Sequence, residues 1–246
     1  MWNNQGFGKI CGDLESQRKP LYPMMAESPE LRWSFVRKVY SIIAIQLIAT
    51  IAVGYFVVAV PPVANFFSNS GVGIAVYIVI AFIPLLTLFP LASYYQSHPV
   101  NYILLAIFTI SLAFTVGLSC AYTDEKIVLQ AVILTAVVVI ALTLYTFWAA
   151  SRGHDFNFLG PFLFGALFVL IFFGIVQILF PLGSLSTMIY GCVGAIIFCG
   201  YIVYDTDNLI KRYSYDEFIW ASVSLYLDII NLFLTLLSIL RTAEDG

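Results

Sequence analysis

Charge is what this sequence has least of. Lysine, arginine, aspartate and glutamate together make up 10% of its 246 residues, against about 25% in an average soluble domain. Between Lys38 and Asp124 none of the four occurs. A surface drawn from that stretch could not be solvated by water. With 61% hydrophobic residues and a mean hydropathy of +0.94, the chain reads as a membrane protein. The net charge is −3 and no run of basic residues occurs, which excludes the electrostatic footprint of a nucleic-acid binder or an anionic-headgroup patch. Cysteine is scarce too. Cys11, Cys120, Cys192 and Cys199 lack the spacing of a disulfide framework or a zinc site. The last three fall in apolar segments and read as small buried hydrophobes. His98 and His154 sit in loops without ligand partners. There is no P-loop, dinucleotide fingerprint or nucleophile elbow, so no enzymatic activity and no bound cofactor are expected. Residues 1–31 are polar and mixed in charge and carry no signal-peptide pattern.

What is present is seven stretches long enough to cross a bilayer, which needs about 20 apolar residues each. They run over roughly 38–60, 72–93, 100–121, 127–149, 159–180, 185–207 and 218–240. The breaks fall at Pro61-Pro62, His98-Pro99, Asp124 to Lys126, Arg152 to Asp155, Pro181 to Gly183, and Asp205 to Glu217. The segments are too long and too uniformly apolar for barrel strands, so helices must satisfy the backbone in lipid. The expected architecture is an all-α membrane protein: a polar cytosolic tail over 1–31 and one seven-helix transmembrane domain over 32–246. Tyr94, Tyr95, Trp33, Trp148 and Trp220 lie near span ends, as interfacial anchors do. Loop cations set the orientation. Arg32, Arg37, Lys38, Arg152, Lys211 and Arg212 gather on one side, and Lys126 and Arg241 on the other. That bias puts the N-terminus in the cytosol. A last segment that entered and returned would bring the C-terminus back to the cytosol, so this alternative stays open.

The feature that composition does not explain is "SLYLDIINLFLTLLSIL", residues 224–240, because it sets Asp228 in otherwise lipid-soluble sequence. A carboxylate in hydrocarbon is expensive and turns toward protein or water. Ser224, Asp228, Asn231, Thr235 and Ser238 recur at steps of three and four, one stripe of one helix. The preceding segment supplies a partner. Gly191, Ala195 and Cys199 form a row of small residues that permits close helix approach, and Asp205 continues that face. Asp207 is turned about 200° away and is expected near solvent at the cytosolic boundary. Ser214-x-x-Glu217 has the form of a capping box that starts the last helix. An ideal hairpin leaves Asp205 and Asp228 several ångströms out of level. No buried lysine or arginine is expected beside them. Two confined carboxylates cannot both ionise cheaply, so they would share a proton, or accept Ca²⁺, which prefers such oxygens.

The stretch "YIVYDTDNLIKRYSYDEFIWASVSLYLDIINLFLTLL" resembles the carboxy-terminal signature of the transmembrane Bax-inhibitor-motif family. "LYPMMAESPELRWSFVRKVYSIIAIQL" resembles the leading segment of its Lifeguard branch as found in plants. The resemblance covers nearly the whole chain from Leu21 onward. It implies a seven-helix bundle with the last helix central, a pH-sensitive calcium leak of internal membranes, and suppression of cell death. It also implies that Asp205 and Asp228 are the sensing carboxylates. Bacterial members carry an arginine at the end of the second helix, and "LASYYQSHPVNY" has none, so that cation's part does not carry over.

Three functions compete. The first is a proton-regulated calcium leak whose partners are the bilayer, protons and calcium ions, in an endomembrane. The second is a scaffold that acts through membrane or cytosolic cell-death regulators, with the aspartates only holding helices together. The third, an intramembrane aspartyl protease, lacks its Gly-x-Gly-Asp segment, since Asp228 follows Leu-Tyr-Leu. The orientation has a direct test. In sealed, cytosol-side-out vesicles an impermeant thiol reagent should label Cys11, while a tag placed after Gly246 stays protected from protease. A digestible tag would restore the in-and-out last segment.

Overall fold

The computed structural model describes residues 20–23, 25, 27–180 and 182–244. Most of the polar segment expected over 1–31, Cys11 included, lies outside the described residues. Among those described there is no strand. Eight α-helices run in the order α1 (Pro29–Ala59), α2 (Pro61–Asn69), α3 (Gly71–Ser93), α4 (Val100–Ala121), α5 (Glu125–Ser151), α6 (Leu159–Leu179), α7 (Ser184–Lys211) and α8 (Phe218–Glu244). All but the short α2 are long and apolar enough to cross a membrane.

The boundaries differ from expectation at two places. α1 begins at Pro29, well before 38, because a proline in the first turn already has helical φ and has no N–H to lose. Pro61 and Pro62 do end α1, but the same property lets them open α2 instead of a loop. At the last segment the capping box forms as spelled. Glu217 accepts the Ser214 N–H at 2.7 Å and the Ser214 side chain answers, around a single 3-10 turn, Tyr215–Glu217, that runs into α8. α8 is then unbroken for 27 residues. At 1.5 Å per residue that is about 40 Å, longer than the roughly 30 Å of hydrocarbon. It is long and apolar enough to cross, and it has no break at which an in-and-out segment would turn back.

α8 is the helix the others enclose, touching α1, α4, α5 and α7. Of its apolar window 44% is buried, a share matched by α4, against 11% for the outlying α3 and α6. Contacts also sort the loops by side. Lys38 on α1 sits over the Phe218 ring at 3.1 Å, and His98 of the α3–α4 loop stacks on the same ring at 5.9 Å. Lys211 at the end of α7 bonds the His154 carbonyl of the α5–α6 loop. The cation-rich ends therefore meet on one face, as expected when each long helix runs once through the bundle.

Backbones approach closely where side chains are missing. At the α1–α4 crossing a Cβ on Gly117 would stand 2.9 Å from the Gly54 Cα and 3.1 Å from the Val57 Cβ. On α7, Gly191 leaves room for Ile239, and Gly194 for the Thr235 methyl, at 2.7 and 2.9 Å from where a Cβ would sit. Gly117→Val should lower stability by about 1–3 kcal/mol, the cost of overpacking a close crossing. Gly165→Ala, where a Cβ meets nothing, should be neutral or slightly stabilising. Thermal unfolding of the purified variants in detergent distinguishes the two.

Candidate functional site

The stagger expected between Asp205 and Asp228 does not separate them. Six residues, 212–217, link α7 to α8, and Ser214 is extended at φ −73°, ψ 160°. That gives the two arms freedom to start at different depths. Across the hairpin the two carboxyl groups lie side by side, within hydrogen-bond reach once one carries a proton. Both residues are buried, at 8% and 6% exposure, and the Oδ2 of Asp228 has no partner. Asn208, one turn beyond Asp205, reaches it with its side chain. Tyr213 lies near both carboxyls and bonds Ser224, so that Ser224 contributes to the site's rim. Burial, and next the Asp205 charge, push the Tyr213 phenol above its ordinary value. It therefore stays neutral.

The rest of the stripe divides. Asn231 is half-buried on the same side of α8 as Asp228. Thr235 has a different task from the one its spacing suggested. Its hydroxyl donates to the Asn231 and Leu232 carbonyls of its own helix, at 3.0 and 2.9 Å, and its methyl packs into the Gly194 gap. It holds the helices together and offers no oxygen to the pair.

Asp207 corrects the sequence reading outright. It faces away from Asp228, as helical phase requires, but it is 0% exposed. The expectation failed because phase fixes direction and says nothing of what covers that side. Here the α5–α6 loop folds over it: the Phe156 N–H reaches its Oδ2 at 3.3 Å. Its charge is balanced by Lys211 at 2.5 Å and Arg212 at 3.1 Å. Arg212 is the hub of this end. Its Nη1 also donates to Asn208 Oδ1 at 2.7 Å, and its Nη2 bonds Asp155. The chain of contacts thus runs from the carboxylate pair through Asn208 and Arg212 to the loop.

Sequence reasoning also placed no cation in the interior, yet Arg32 is 2% exposed. It donates to the Tyr213 carbonyl at 2.6 Å and to Glu27 at 2.7 Å, with its guanidinium against the Phe35 and Tyr215 rings. Tyr213 and Tyr215, which help to cover it, are far away in sequence, and the local neighbours Glu27 and Phe35 did not mark it as buried. A second polar group was missed at mid-membrane, on another face of α8. Thr50 meets the Tyr226 hydroxyl at 2.6 Å, and Gln46 donates to Thr109 at 3.0 Å. Gln46, the only amide in an apolar run of α1, was the available signal.

Two acids of this end, Glu27 and Asp155, are held below their ordinary values. The Tyr215 hydrogen bond, and after it Arg32, hold Glu27 below its ordinary value despite some burial. The Asn157 N–H, and after it Arg212 and Lys211, do the same for Asp155. A group whose folded pKa is depressed contributes stability that is present above its unfolded pKa and lost only as pH falls through the folded one. Neither therefore produces a response between about pH 5 and 8.

With this geometry in hand, comparison with known proteins is specific. The family described as inhibitor of apoptosis-promoting Bax1 matches residues 32–245. The chain is 66% identical over 245 residues to Protein LIFEGUARD 2 of Arabidopsis thaliana, covering 100% of both. It is 68% identical over 231 residues to Protein LIFEGUARD 3 of the same plant, covering 94% of this chain and 93% of that one. To the Golgi anti-apoptotic protein of Vaccinia virus (strain Lister) it is 35% identical over 234 residues, covering 95% and 96%.

Asp207→Asn should destabilise the fold by about 2–4 kcal/mol, because it leaves two cations short of a buried counter-charge; the partial exposure of Arg212 keeps the cost from being larger. Any pH response of the protein should keep its midpoint. Denaturation in detergent measures the first. A midpoint displaced as far as that of Asp205→Asn would make Asp207 part of the pair.

Proposed function

Because the chain belongs to the Bax inhibitor family and has Lifeguard proteins among its relatives, we propose that it is a pH-sensitive calcium leak pathway of an internal membrane and a negative regulator of programmed cell death. One observation carries the conduction reading: Asp205 and Asp228 meet inside the membrane with an Asp228 oxygen left without a partner. The regulatory half rests on the printed names of the relatives, and the endomembrane placement on the Golgi named for the viral one.

The mechanism follows from electrostatics. While the carboxyls share one proton, they attract and hold α7 against α8. Rising pH removes the proton, and two like charges confined in low dielectric repel. The hairpin then parts and the path opens. Calcium passing between them would restore attraction. Two carboxylates supply only part of the six to eight oxygens calcium prefers, and among the described residues no three His, Cys, Asp or Glu side chains gather. The donor set suits a passing ion that keeps some of its water and does not suit a resident one. On this reading the described conformation is the closed one. A cavity of ≈540 Å³ opens at the far end of the bundle between Tyr122, Ser238 and Arg241, and Leu234 and Leu237 are among the residues that wall it. Neither aspartate lines it.

In liposomes containing only this protein, Asp228→Asn should abolish the rise of calcium flux with pH while leaving a folded, inserted chain. Asp205→Asn should do the same, and the double substitution should add little, since both relieve one conflict. Strictly additive effects on gating would reduce the pair to two independent contacts. Absence of flux from the wild-type protein would leave the scaffold reading.

A further inference from the structure

The segment before α1 lies across the end of the hairpin that carries the aspartate pair. Leu21 is 7% exposed and packs with Ala150, the end of α5, and Ile210, the end of α7. Pro23 fits against Gly153, where a Cβ would stand 3.3 Å from the proline ring and where φ is +84°. Any residue with a side chain would be strained at that turn and would also push the proline away. Glu27 then closes the far end. Its Oε2 accepts from Arg32 and from the Tyr215 hydroxyl, both at 2.7 Å. Arg32 in turn holds the Tyr213 carbonyl. One short segment is thus fastened at three points: to α5, to α7 and to the α7–α8 connection.

We propose that Leu21, Pro23 and Glu27 form a closing strap that holds the α7–α8 hairpin against α5, so that the hairpin cannot part until the strap loosens. The physical reason is leverage. Motion that separates α7 from α8 must displace residues 212–217, and these are tied through Tyr213 and Tyr215 to a segment whose other end is wedged between α5 and α7. The tie joins Arg32, which is buried, to the partly exposed Glu27, and drawing Glu27 away would leave the arginine with only the Tyr213 carbonyl and the Phe35 and Tyr215 rings. The apolar end is the weaker hold, since Leu21 and Pro23 keep their places by packing alone. Release therefore begins there. The strap lies on the face that carries most of the loop cations, where anything in the aqueous phase on that side could reach it.

That the strap gates ion flow rests on the conduction reading; that it holds the hairpin does not. Two measurements on the full-length protein separate them. Hydrogen exchange is followed in 205–217 for Leu21→Ser, which weakens the packed end, and for Tyr215→Phe, which removes one bond and keeps Arg32 paired. Calcium flux is followed for the same variants in liposomes at fixed pH. Exchange in 205–217 should rise about tenfold in Leu21→Ser and less in Tyr215→Phe, while 225–237 stays protected. Flux should rise in the same order. Unchanged exchange in both variants would overturn the strap. Increased exchange with wild-type flux would overturn its role as a gate. Increased exchange in a protein that conducts nothing, wild type included, would keep the strap and remove the conduction reading.

Discussion

The cost of holding charge away from water organises this molecule. In hydrocarbon a lone carboxylate has neither solvent nor counter-ion, and it must find another polar group or give up its charge. Asp228 finds Asp205, and the two can be neighbours only because α7 and α8 form a tight hairpin with Gly191 and Gly194 at the contact. The hairpin must in turn be enclosed, since a carboxylate pair facing lipid would be intolerable. α8 therefore lies inside α1, α4, α5 and α7, and α3 and α6 are left to face the bilayer.

The same cost is met differently at the end where the loops gather. There Asp207 and Arg32 are as deeply buried as the pair, but each has opposite charge at hand. Those groups face opposite charge and serve to hold loops in place. The pair has like charge, so its energy depends on protonation. One end of the hairpin is built to stay and its middle is built to change, and Asn208 and Arg212 connect the two.

How much of this could be read in advance depended on the range of the physics involved. Span positions were legible because hydropathy over about 20 residues is a local sum, and the capping box was legible because its partners are three residues apart. The helix of α1 starts before the apolar span at 38–60 because a helix can extend beyond its apolar run and bury Arg32 under its neighbours. Asp207 was misjudged because helical phase gave its direction, and only the α5–α6 loop determined that the direction was dry. Thr235 was assigned to a polar stripe by spacing alone, although a threonine in a helix can satisfy its hydroxyl on the carbonyl four residues back.

By itself, then, the sequence determined that this is a helical membrane protein of seven spans, and that an uncompensated acid lies within the last of them. Those are consequences of transfer free energy and of periodicity, both carried by neighbouring residues. That Asp205 meets Asp228, that Asp207 and Arg32 are buried against opposite charge, and that Leu21, Pro23 and Glu27 pack at the end of the hairpin were decided by tertiary structure. Each is a contact between groups brought together by packing, and the worth of a charge depends on what surrounds it in space.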